Sequence, residues 1–122
     1  LFVLMWTSGF DIMYACQDHD FDKRSGLYSI PARYGIARSL WMARIFHFQA
    51  FAVLLLLYLM SGLGWVALVG VGAVGALLVY QHTLVKPNDL SKMNAAFFTT
   101  NAFVSVILFA AFGTATFLQN QQ

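Results

Sequence analysis

IFHFQAFAVLLLLYLMSGLGWVALVGVGAVGALLVYQHTLV, residues 45–85, contains no Asp, Glu, Lys or Arg. About 20 apolar residues suffice for one helix to cross a bilayer. The stretch is long enough for two, and Ser61-Gly62-Leu63-Gly64 supplies a tight, uncharged turn between them. Spans are therefore expected at about 40–60 and 65–85. A second uncharged run, residues 93–122, follows Lys92. Every Lys, Arg and Asp lies in one of two windows, 11–44 and 86–92, and there is no Glu. Of the 122 residues 60% are hydrophobic and 10% charged, with a mean hydropathy of +0.69. Soluble domains carry about 25% charged residues. The composition predicts an all-α, polytopic transmembrane helix bundle and excludes an ordinary water-facing domain. A net charge of +2 is too small to point to nucleic acid. The single Cys16 has no internal disulfide partner and reads as a small buried side chain.

Outward from the uncharged core, a first helix is expected over about residues 1–17, as the tail of a spanning helix. The chain opens in mid-helix with Leu1-Phe2-Val3-Leu4-Met5-Trp6 and lacks the basic start and cleavage site of a signal peptide, so an upstream portion is expected to precede it. A polar segment, Asp18 to Tyr34, comes next, broken by Gly26 and Pro31. Ser29-Ile30-Pro31-Ala32 has the form of a helix start, with Pro31 in the first turn. The helix it starts should carry Arg33, Arg38 and Arg44 into the first span. Gly70, Gly72 and Gly75, with Ala73 and Ala76, give the next span a small-residue surface for close helix packing. Lys86-Pro87-Asn88-Asp89 ends it, and Asp89 or Ser91 can cap a last helix over about 90–118. Asn94, Thr99, Thr100 and Asn101 should face other helices or a cavity. This zigzag puts all seven Lys and Arg on one side, which the positive-inside rule makes cytoplasmic.

The chemistry is expected at Asp11, Tyr14, Asp18 and Asp22. Spacings of 3, 4 and 4 put them on one helical stripe, with Asp20 opposite. Asp11 sits inside an apolar helix, where a carboxylate is expensive unless it binds a cation. Asp18 and Asp22, one turn apart, can share Mg²⁺, which favours one or two carboxylates completed by water and phosphate oxygens. Lys23 and Arg24 come directly after, and a guanidinium suits bidentate phosphate contact. Together they suggest a diphosphate site. The Asp18, Asp20, Asp22 spacing also opens a calcium loop, but Lys23 stands where that loop needs Gly and Ser29 where it needs Glu. His19, His47 and His82 are isolated in sequence and read as packing or interfacial residues.

The string Asp11-Ile12-Met13-Tyr14-Ala15-Cys16-Gln17-Asp18-His19-Asp20-Phe21-Asp22 resembles the second aspartate-rich motif of the UbiA prenyltransferases, D-x-x-Y-A-x-x-D-x-x-x-D. The basic residue, Gly and Ser-x-Pro that come after that motif are matched by Arg24, Gly26 and Ser29-Ile30-Pro31. Leu84-Val85-Lys86-Pro87 and Asn94-Ala95-Ala96-Phe97-Phe98 are similar to the family's 4-hydroxybenzoate branch. The resemblance implies a nine-helix membrane fold of which residues 1–122 are the C-terminal portion, roughly the last four helices. It implies Mg²⁺-dependent transfer of a polyprenyl group from its diphosphate to an aromatic acceptor, 4-hydroxybenzoate, in quinone biosynthesis. Asp18 and Asp22 would be metal ligands and catalytic. Asp11 and Tyr14 would line the diphosphate site, and Arg24, with Lys23, would contact the diphosphate.

The family's first motif, N-x-x-x-D-x-x-x-D, does not occur in these residues. It is expected in upstream helices of the same chain, and residues 1–122 alone are expected to be inactive. Homogentisate, naphthoate and tetrapyrrole are alternative acceptors within the family. A membrane cation transporter using Asp11, Asp18 and Asp22 is the alternative from another class. The expected location is a bacterial inner membrane, with the Asp-rich loop on the cytoplasmic side.

Overall fold

A computed structural model describes residues 1–121. Helix α1 (Phe2–Ala15) tightens into a 3₁₀ turn at Cys16–Asp18 and resumes as α2 (His19–Arg24). A short α3 (Ile30–Tyr34) precedes the long α4 (Ile36–Ser61), α5 (Trp65–Leu84) and α6 (Thr100–Gln119). A π turn, Ala95–Thr99, leads into α6. Among the described residues there is no strand, only an isolated bridge between Lys86 and Asp89. Three helices are long and apolar enough to cross a membrane: Ile36–Ser61, Trp65–Leu84 and Ala95–Gln119. The expected all-α membrane bundle is what these residues build.

Two points of local chemistry set the layout. Ser29 is the N-cap of α3 and its hydroxyl accepts from the Ala32 N–H at 3.2 Å, with Pro31 in the first turn. The helix it starts does not run on into the span. Gly35, at φ 81°, breaks it after Tyr34, and α4 begins afresh at Ile36. A side chain at that φ would be strained, so glycine makes the elbow. At the other end of α4, Gly62 takes φ 65° and turns the chain into α5. The expected turn at 61–64 is present.

The last helix differs from its expected start. Asp89 does not cap it. Its carboxylate accepts from the Ser91 N–H at 3.0 Å and the Ser91 hydroxyl at 2.6 Å, closing a local turn. These two bonds, with Lys92 and Lys86 nearby, hold the Asp89 carboxyl below its ordinary value. In the π turn the Thr100 N–H and hydroxyl both bond the Ala95 carbonyl, the hydroxyl at 3.2 Å.

Packing is closest where small residues meet large ones. Gly9 on α1 faces the His47 ring, and a Cβ there would overlap it. Gly70 on α5 faces Ala111 of α6, and Gly75 faces the Phe51 ring of α4. Gly72 faces open space, so the expected small-residue surface divides between two partners and one gap. Core residues form two clusters, one around Trp6, Leu54, Val74 and Val104, the other around Met13, Leu40, Val85 and Met93. Large apolar side chains remain outside: Phe48, Leu59, Met60 and Phe109 are exposed. In water such a surface would aggregate, whereas in lipid it is the expected exterior. Trp41 and Trp65, both exposed, lie toward opposite ends of the bundle, where indole rings anchor at membrane interfaces.

Candidate functional site

The Asp-rich segment lies at one end of the bundle, on the last turn of α1, the 3₁₀ turn and α2. Asp11 and Asp18 are exposed, and Asp22 is half-buried. Among the described residues none of the three carboxylates makes an ion pair, and none accepts a side-chain hydrogen bond. Asp20 behaves differently. Its carboxylate meets His19 Nδ1 at 2.8 Å, and its backbone carbonyl accepts from Arg24 Nε at 3.1 Å. Among the described residues the Arg24 terminal nitrogens have no partner, while the side chain is tethered at Nε. Lys23 and Arg24 are exposed in the last turn of α2.

The single stripe expected from a regular helix needs correction. The 3₁₀ turn at Cys16–Asp18 winds more tightly than an α-helix. Three residues at about 120° instead of 100° rotate the downstream side chains by roughly 60°. Asp18 and Asp22 are thus offset around the axis from Asp11 and Tyr14, while keeping their own one-turn spacing. Among the described residues no group of three His, Cys, Asp or Glu side chains is close enough to hold a metal. Asp18 and Asp22 are two carboxylates without ion pairs among the described residues; a pair of this kind could take part in holding Mg²⁺, with coordination left for water and phosphate oxygens.

Tyr14 is placed by aromatic contacts that sequence reasoning missed. Its ring lies 4.3 Å from Phe97 and 6.0 Å from Phe98, both in the π turn. Phe10 meets Phe97 edge-on at 5.1 Å, and Trp6 meets Phe10 at 5.6 Å. Such pairs contribute about 0.5–1.5 kcal/mol each beyond area burial. The wall binds α1 to the last span just below the aspartates. Its signal in sequence was the i, i+4 spacing of Phe2, Trp6, Phe10 and Tyr14, which marks one helix face. Cys16 is buried beside the motif, where its thiol donates to the Ile12 carbonyl at 3.4 Å, and it serves as a packing residue.

The isolated histidines are not all isolated in space. His47 Nδ1 lies 2.9 Å from His82 Nε2, and His47 Nε2 lies 3.2 Å from the Trp6 carbonyl. The Trp6 indole N–H donates to Asn101 Oδ1 at 3.2 Å. His82, His47, Trp6 and Asn101 thus link α5, α4, α1 and α6 in one polar chain. Of the polar residues expected to face inward on the last span, Thr100 is buried and Asn101 half-buried, while Asn94 and Thr99 are exposed.

A sequence profile of the UbiA prenyltransferase family matches residues 1–107. The chain is 29% identical over 106 residues to a 4-hydroxybenzoate octaprenyltransferase of Escherichia coli O45:K1, covering 87% of this chain and 36% of that protein. It is 32% identical over 107 residues to the protein of the same name from Chromohalobacter salexigens, covering 86% and 35%. The Citrobacter koseri protein of that name is 30% identical over 106 residues, covering 87% and 36%. The chain thus spans about a third of the length of these curated relatives. No solved structure matches it.

Proposed function

The chain belongs to the UbiA prenyltransferase family, and on that footing we propose that it is the diphosphate-binding part of an enzyme transferring a polyprenyl group to 4-hydroxybenzoate in quinone biosynthesis. The observation that carries this reading is the state of Asp18 and Asp22. They stand one turn apart, without ion pairs among the described residues, beside exposed Lys23 and tethered Arg24. Both carboxylates are left available to a cation.

Mg²⁺ held by Asp18 and Asp22 would supply positive charge to a bound diphosphate. Arg24, fixed through Nε to the Asp20 carbonyl, offers its terminal nitrogens to the diphosphate oxygens in a nearly set direction. Lys23 adds a second cation. As the allylic C–O bond breaks, its electron pair leaves with the diphosphate, and Arg24 and Lys23 stabilise that charge. The carbon left behind is cation-like. It bonds to an electron-rich ring carbon of the acceptor, which then loses its proton. Tyr14, Phe97 and Phe98 give the neighbouring region aromatic faces, which favour a cationic carbon. Asp11, exposed near the end of α1, lies at the same end as a further carboxylate.

The orientation is set by charge: the Asp-rich segment and the 86–92 loop face the cytoplasm, across the inner membrane of a bacterium.

The test uses the complete product of the gene in membranes, with 4-hydroxybenzoate and a polyprenyl diphosphate, with and without Mg²⁺. Mg²⁺-dependent prenylated product is the expected result. Product from homogentisate or naphthoate in its place would keep the reaction and replace the acceptor. Cation flux without diphosphate consumption would overturn the reading.

A further inference from the structure

A groove of about 910 Å³ runs along the seam between α4 and α5. One end is polar, with Arg44, His82 and Thr83. The remainder is apolar, with Phe48, Gly72 and Val79 among its walls. The two helices are joined by a short turn and run antiparallel, so Arg44 near the start of α4 and His82 near the end of α5 share the charged end of the bundle. From His82 to Gly72 a helix rises about 15 Å at 1.5 Å per residue. The hydrocarbon core of a bilayer is about 30 Å thick. The groove therefore extends from headgroup level to the midplane, the depth of one leaflet.

The polar end is chemically specified. The Trp6 carbonyl can only accept, so the proton of His47 sits on Nε2, which donates to it at 3.2 Å. His47 Nδ1 is then a lone pair, and the hydrogen bond of 2.9 Å needs His82 Nε2 as its donor. That tautomer leaves His82 Nδ1 as an acceptor, with no partner among the described residues. Arg44 has no ion pair among them either. A free guanidinium beside a free acceptor, above an apolar channel one leaflet deep, matches an amphiphile with an anionic phosphate, a headgroup hydroxyl and one chain to lay down.

We propose that the α4–α5 groove binds an anionic phospholipid of the bilayer. The phosphate lies on Arg44, a headgroup hydroxyl donates to His82 Nδ1, and an acyl chain runs along the seam past Val79 to Gly72. The site is separate from the aspartate motif and does not depend on prenyl transfer.

The experiment places a photoreactive amino acid at Val79, which lines the groove and is 69% exposed. The complete gene product is reconstituted in nanodiscs of phosphatidylcholine with a minor fraction of phosphatidylglycerol and irradiated. Cross-links to phosphatidylglycerol should exceed its bulk fraction by at least about fivefold. R44Q should abolish that enrichment. G72L should do the same by filling the channel, since a Cβ at Gly72 meets nothing within 4 Å and the fold has room for it. Melting curves close to the parent's should accompany both variants. Enrichment that survives both substitutions, labelling at the bulk lipid ratio, or cross-links to polypeptide in place of lipid would each overturn the proposal.

Discussion

The Asp11–Arg24 segment and the His82–His47–Trp6–Asn101 chain are two groups of polar side chains in this apolar molecule, and they are built in opposite ways. In the first, the three candidate carboxylates lie at the end of the bundle with no ion pairs among the described residues. In the second, each step is a hydrogen bond of 2.9–3.2 Å, and His47 is 2% exposed. One set is held ready for something outside the protein. The other spends most of its hydrogen bonds on the protein itself, with only the outer His82 Nδ1 and the Asn101 amide nitrogen left over. Removing an uncommitted carboxylate should therefore cost activity and leave stability alone, while removing a committed imidazole should do the reverse.

The largest effect that could break this contrast is on catalysis. Asp18→Ala and Asp22→Ala in the complete gene product should each lower prenyl transfer at least about 100-fold, near 2.7 kcal/mol in barrier height. Their melting temperatures in detergent should stay at the parent's value. A fall in melting temperature of several degrees would show that the carboxylates are structural after all.

Next in size is the packing beneath the interior chain. A Cβ at Gly9 would overlap the His47 ring. Gly9→Ala should destabilise the bundle by about 1–3 kcal/mol through overpacking, read as a lower melting temperature. An unchanged melting temperature would mean that α1 does not lie on His47.

His47→Phe tests the hydrogen bonds more than the volume. It leaves His82 Nε2 without its acceptor, and because His82 is only half-buried the cost should fall near the low end of the range for an unpaired donor, about 1 kcal/mol. His47→Gln, which keeps an acceptor and a donor, should recover part of that loss. Equal losses in the two variants would assign the effect to shape alone.

The smallest effect is at Asp89. Its carboxyl lies below the ordinary 3.8 because Ser91 donates two hydrogen bonds to the charged form. A depressed folded value means that the turn's contribution is complete above 3.8 and is lost as pH falls through the folded value. The Ser91 amide should therefore keep its hydrogen-exchange protection down to about pH 4 and lose it below. Asp89→Ala should show no such transition.

The spans were legible because in lipid the signal is one-dimensional: a charge-free run long enough to cross must be helical to satisfy its own backbone. The Asp motif stands out in the sequence for a similar reason, since all its members fall within Asp11–Asp22 on neighbouring turns. The features that escaped depend on contacts between distant residues or on small backbone departures. His47 and His82 are 35 residues apart and Trp6 and Asn101 95 apart, and neither pairing leaves a trace in local spacing. The 3₁₀ turn at Cys16–Asp18 and the elbow at Gly35 each depend on a few dihedral angles within otherwise helical sequence. The Asp89 cap was misplaced because Ser91 competes for the same carboxylate.

The π turn at Ala95–Thr99 has a consequence for how the last span responds to mutation. One wide turn takes in an extra residue, yet the buried positions keep an unbroken spacing of three or four through it: Met93, Ala96, Thr100 and Val104. A saturation scan of residues 93–119 should therefore show one continuous wave of sensitivity. Deleting a single residue within 95–99 would break that wave, turning either the aromatic wall or the apolar core away from its partner.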